Sequence, residues 1–114
     1  PVKIFHTIGT VTIPKTVDFS FSEHTALKIF PEVEQFNFRE LEPGTTFARV
    51  ASEETLSFDV KDEFGNLVSS DFFYQEGLEV KLRRKVMPAM ITLDTRVIRQ
   101  DCFCYLMERY QSKA

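Results

Sequence analysis

Apolar residues in this chain recur mostly with a period of two. Val17, Phe19 and Phe21 alternate with Asp18 and Ser20; Leu56, Phe58 and Val60 alternate with Ser57 and Asp59; Leu78, Val80 and Leu82 alternate with Glu79 and Lys81. Successive side chains of a strand point to opposite faces, so each run predicts a strand with one dry and one wet face. In the third run Val86 extends the apolar face and Arg83 and Lys85 the polar one, until Met87-Pro88-Ala89 breaks the strand. Residues 2–8 (VKIFHTI) and 11–13 read as a hairpin around Gly9, ended by Pro14. Residues 45–51 read as a strand after the stop at Pro43-Gly44. Residues 61–66 (KDEFGN) predict a hairpin loop in which Gly65-Asn66 can take positive φ, with Leu67-Val68 opening the return strand.

Two stretches read as helix. Ser20-Phe21-Ser22-Glu23 has capping-box spacing, and Ala26, Leu27 and Phe30 can share a helical face that Pro31 ends. Residues 31–42 then suit a second short helix, with Pro31 at its first position and Glu32 and Glu34 in its first turn. Phe36 and Phe38 also alternate with Gln35 and Asn37, as a strand would. At the end of the chain, residues 94–111 predict a helix: Asp94 can cap it, and Ile98, Cys102, Tyr105 and Leu106 fall at i, i+4, i+7 and i+8. The rival is a strand over 102–107, where residue types favour extended backbone.

These elements predict an α+β, mainly β fold, with 1–114 as a single globular domain or a piece of a longer scaffold protein. One arrangement is a small barrel or sandwich of six or seven strands with a C-terminal helix, similar in element order to pleckstrin-homology-like modules. The alternative order is strand, strand, helix, then three strands and a tail helix, which looks like a ubiquitin-like β-grasp.

Composition sharpens the picture in three places. Twelve of the 114 residues are Phe and none is Trp. Phe buries a large area without needing a polar partner, so a Phe-packed core is expected, with an exposed docking patch as the other use for some of them. Residues 1–80 hold 14 acids and 6 bases, whereas 81–114 hold 8 bases and 3 acids. A charge asymmetry of this kind speaks to partners and association rates. Cys102 and Cys104 are too close for an unstrained disulfide and read as free thiols in a reducing compartment, which suggests the cytoplasm. No stretch approaches the roughly 20 apolar residues of a membrane span.

Candidate chemistry is sparse. His6 sits in a strand pattern and His24 stands beside Glu23, neither next to a nucleophile motif; no Gly-x-Ser-x-Gly turn or phosphate-cradling glycine loop is present. Two cysteines and two distant histidines lack zinc-ligand spacing, and Asp59, Asp62 and Glu63 match only part of a calcium loop. No catalytic residue, metal or cofactor is therefore assigned. The strongest feature left is basic: Lys81, Arg83, Arg84 and Lys85, with Arg96 and Arg99. They predict a non-enzymatic protein–protein interaction or assembly domain whose basic face meets an acidic surface. That surface belongs to a partner or to the acids of a second copy (Glu32, Glu34, Glu40, Glu42, Glu53, Glu54). The alternative is a module for nucleic acid or anionic lipid, against which stands the net charge of −3. A small enzyme ranks last; its mark would be a deep apolar pocket with polar groups converging around His6 or His24.

Overall fold

The computed structural model describes residues 4–22 and 24–110. It is mostly β, with two sheets. Strands β1 (Phe5–Thr12), β5 (Asp59–Lys61), β8 (Met87–Ala89) and β9 (Cys104–Arg109) form one sheet in the order β5-β1-β9-β8. Strands β2 (Phe19–Ser20), β3 (Leu27–Ile29), β4 (Thr46–Val50), β6 (Phe73–Glu76) and β7 (Glu79–Leu82) form the other, in the order β2-β3-β4-β7-β6. Helical segments are short: a 3-10 helix over Pro31–Phe36, α1 (Ser69–Phe72) and α2 (Thr95–Gln100). Among the described residues no helix is long and apolar enough to cross a membrane.

Both sheets turn their apolar faces onto one core, which unites Val11, Val60 and Leu106 with Phe47, Val80 and Leu82. Phenylalanines build its centre. Phe58 stacks on Phe103 with ring centroids 5.5 Å apart, and both Phe58 and Phe47 meet Phe73 at 5.0 and 5.5 Å. Offset and edge contacts of this kind add about 0.5–1.5 kcal/mol per pair to the burial itself. In β4 the register slips between Thr46 and Ala48, so the consecutive residues Phe47 and Ala48 are both buried.

The alternation that predicted β7 holds, with Val80 and Leu82 buried and Glu79 and Lys81 turned outward. This strand ends at Leu82, however, and Met87-Pro88-Ala89 forms a strand of its own rather than a break. β8 is an edge strand, where proline's missing N–H is tolerated. The expected hairpin around Gly9 is a single strand instead. β1 runs straight through this glycine, with a register shift between Thr7 and Gly9. A Cβ on Gly9 would stand 2.8 Å from Val60 Cγ1, so the glycine serves a close packing contact and not a turn. The helix expected after residue 20 is replaced by β3, where Leu27 and Ile29 point inward and Lys28 outward; Glu23 of the proposed capping box lies outside the described residues. Residues 31–42 keep only the 3-10 helix.

The predicted C-terminal helix is the largest correction. Asp94 does cap, accepting from the Arg96 N–H at 2.9 Å, but α2 stops at Gln100. The chain then enters β9, which is central in its sheet and pairs with both β1 and β8. Cys104 and Leu106 fill the inner face of that strand. Two ladders and a buried face outweigh a helical pattern that offered only one apolar stripe.

Candidate functional site

The six basic residues singled out in the sequence are dispersed. Lys81, on β7, lies between Glu76 (2.8 Å) and Glu79 (3.6 Å). The hydrogen bond to Glu76 raises the Lys81 pKa and lowers that of Glu76. Arg83 leaves the strand and lies 5.0 Å over the ring of Tyr74. Arg84 turns the other way, pairing with Glu108 of β9 above the ring of Phe72. Lys85 is 3.8 Å from Glu42. On α2, Arg96 projects into solvent near its own cap Asp94, 3.9 Å away. Arg99 points back across the fold, donates to the carbonyls of Pro14 and Val17, and covers the ring of Phe19.

Contacts of Lys81 and Lys85, together with one from Arg109, explain the charge split. Lys81 with Glu76 and Glu79, Lys85 with Glu42, and Arg109 with Glu40 each join a base of residues 81–114 to an acid of residues 1–80. The two halves of the chain thus neutralise one another in the folded molecule. Surface pairs of this sort, screened by water and salt, contribute little to stability. Their effect here is to leave Arg83 without an ion pair among the described residues, and Arg96 with only the cap of its own helix. The acids divide in the same way: Glu32 and Glu34 stay on the 3-10 helix, and the Glu53 carbonyl accepts from Gln75 at another corner.

The histidines lie apart. His6 lines a groove of about 750 Å³ with Glu40, Lys85, Glu108, Arg109 and Tyr110, and meets Tyr110 edge-on at 6.0 Å. The walls are charged rather than apolar, and two of its acids are already paired with arginines. His24 lies in a different groove, and the neighbour suggested for it, Glu23, is outside the described residues. Cys102 and Cys104 are free thiols, both buried, and burial pushes both pKa values up. Among the described residues no three His, Cys, Asp or Glu side chains gather as metal ligands. Asp62 spends its carboxylate on its own loop, accepting from the N–H groups of Phe64 and Asn66.

An edge that the sequence pattern did not single out carries the most distinctive surface. Residues 37–41 run beside 86–91 as an irregular extra rung outside β8: Leu41 and Val86 exchange backbone bonds, Phe38 N–H donates to Pro88, and the Asn37 amide bonds Ile91. At one end stand Lys85 and Glu42. At the other stand Phe38 and Met90, 62% and 65% exposed, and each holds a positive φ (62° and 58°). Left-handed backbone costs a residue with a Cβ about 1 kcal/mol or more. No sequence signal marks it, because glycine or asparagine would be expected at such positions.

No protein-family model, curated protein or solved structure matches this chain.

Proposed function

We propose that this chain is a non-enzymatic protein-interaction domain that docks a partner with an acidic surface. Phe38 and Met90 carry the reading. Two large apolar side chains are held out in water on strained backbone, on hydrogen-bonded neighbouring segments of one edge. Strain and exposure at one spot are what a docking anchor shows before its partner covers it. Arg39, beside Phe38, is exposed and makes no ion pair among the described residues, so a partner with acids around an apolar patch is the complement. Neither the pleckstrin-homology-like nor the β-grasp comparison adds support. Both orders include a full helix, and the helical segments described here reach six residues at most.

The test is capture from lysate by the wild type, by Phe38→Asn/Met90→Asn and by Arg83→Glu/Lys85→Glu. Asparagine accepts positive φ, so the first variant removes the apolar anchor without removing the turn. The reading expects proteins held by the wild type and lost with the asparagine variant, at unchanged thermal stability. The same proteins on both would remove Phe38 and Met90 from the argument. Retention by the charge-reversal variant would remove the basic residues from it, and nucleic acid held by the wild type alone would favour the other class of partner.

A further inference from the structure

The fold that neutralises its C-terminal bases leaves two bases of the acidic half facing each other. Lys28 on β3 and Arg49 on β4 are direct cross-strand partners on the outer face of the five-stranded sheet. Neither makes an ion pair among the described residues. Like charges placed opposite each other on neighbouring strands destabilise a sheet. Elsewhere the molecule avoids this arrangement, with Glu76 and Glu79, also opposite each other, bridged by Lys81.

The pair lines a groove of about 700 Å³. His24 also lines it, Ala26, Ala51 and Leu78 supply apolar surface, and among the described residues Asp18 is the carboxylate in its lining. Thr25 contributes no free donor, because its hydroxyl is bonded to the Leu27 carbonyl and to Ser20. Next in the same cross-strand row stands Glu79, opposite Arg49, with its carboxylate 3.6 Å from Lys81. The row therefore runs from cation to anion across the sheet.

We infer that the Lys28–Arg49 groove is a binding site for an acidic peptide segment, with carboxylates placed over the two cations and an apolar side chain against Leu78. An anion between Lys28 and Arg49 turns their repulsion into two charge-assisted contacts, and the planar guanidinium matches a carboxylate in two-point geometry. The observations favour a peptide over a nucleic acid. Apolar surface lies in the groove beside the cations, and a peptide brings apolar side chains to cover it, whereas a phosphate backbone brings only charge. This site shares no residue with the Phe38–Met90 edge and stands or falls without it.

A fluorescent hexapeptide of four glutamates and two leucines, titrated by polarisation at about 50 mM salt, tests the inference; inorganic phosphate and a single-stranded oligonucleotide compete in parallel. The wild type should bind the peptide, Lys28→Glu/Arg49→Gln should weaken it at least about tenfold, and Lys61→Glu, on the other sheet, should leave it unchanged. Arg49→Gln alone serves as the milder variant should the double one unfold. No peptide binding to the wild type, or equal binding by the groove variants, overturns the site. Displacement of the peptide by the oligonucleotide or by phosphate at lower concentration than by unlabelled peptide overturns the peptide as its ligand.

Discussion

Asn37 grips Ile91 at both ends of its backbone unit: its side-chain oxygen accepts the Ile91 N–H at 2.7 Å and its amide donates to the Ile91 carbonyl at 3.3 Å. The side chain thus completes a ladder rung between the edge segment and the residue after Met90. Phe38 and Met90 are each the chain neighbour of one partner in this clasp, and the Phe38 N–H also bonds the Pro88 carbonyl. Asn37→Ala would leave the N–H of Ile91, a buried residue, without an acceptor. A buried unpaired donor costs about 1–3 kcal/mol. Urea unfolding should show that loss, and hydrogen exchange should show the Phe38 and Ile91 amides opening first. A change below about 0.5 kcal/mol would mean that the clasp does not hold the edge.

Gly9 yields a sharper prediction because the contact is steric. A methyl group there meets Val60 Cγ1 at 2.8 Å and Phe72 at 3.5 Å, inside a packed core. Gly9→Ala should cost about 1–3 kcal/mol, the usual range for overpacking. Val60→Ala removes the opposing methyls, so the double variant should be more stable than the sum of the two single losses. A strictly additive cycle would place the strain elsewhere.

What was legible in the sequence was local. The alternation of Val80 and Leu82 with Glu79 and Lys81 marked β7, Asp94 announced a helix start, and the KDEFGN segment its turn, with Gly65 at φ +83°. What was not legible depends on partners distant in the chain. Ile98, Cys102, Tyr105 and Leu106 satisfy helical spacing by coincidence, and only the ladders to β1 and β8 make 104–109 a strand. Gly9 looks like a turn until Val60, far along the chain, arrives against it. Gly77, at φ +61°, turns the β6–β7 hairpin, and no turn dipeptide in the sequence marks it. The candidate sites follow the same rule. The charge split was plain as composition, but whether Lys85 faces a partner or Glu42 is decided by topology. Lys28 and Arg49 are ordinary surface residues until β3 and β4 pair.

Acid should loosen the loop after β5 before the core. The Asn66 N–H at 2.8 Å, with that of Phe64 at 2.9 Å, holds the Asp62 carboxyl below its ordinary value of 3.8. A carboxylate with a lowered folded pKa contributes stability that is fully present above the unfolded value and lost as pH falls through the folded one. Amide exchange at Phe64 and Asn66 should therefore rise as pH falls below the ordinary carboxylate value, beyond its intrinsic trend. In Asp62→Asn that excess should vanish. Protection that is flat with pH in the wild type would show that the carboxylate does not hold the turn.

The Lys28–Arg49 pair makes stability and binding move in opposite directions. Lys28→Glu replaces a repelling cross-strand pair by an attracting one, with Arg49 then facing acids on both sides, the introduced carboxylate on β3 and Glu79 on β7. Opposite-charge pairs on facing strands contribute about 0.2–1 kcal/mol, and relief of the repulsion adds in the same sense. Lys28→Glu should thus raise the urea midpoint at constant slope, while Lys28→Gln, which only removes the repulsion, should raise it less. Loss of the acidic peptide should follow the same ranking, with the variant that gains more stability binding it more weakly. A site kept for binding behaves in this way, since relieving its strain improves the fold and abolishes its use. If Lys28→Glu lowers the midpoint instead, the two cations are not in conflict in the free protein, and the reason for expecting an anion between them disappears.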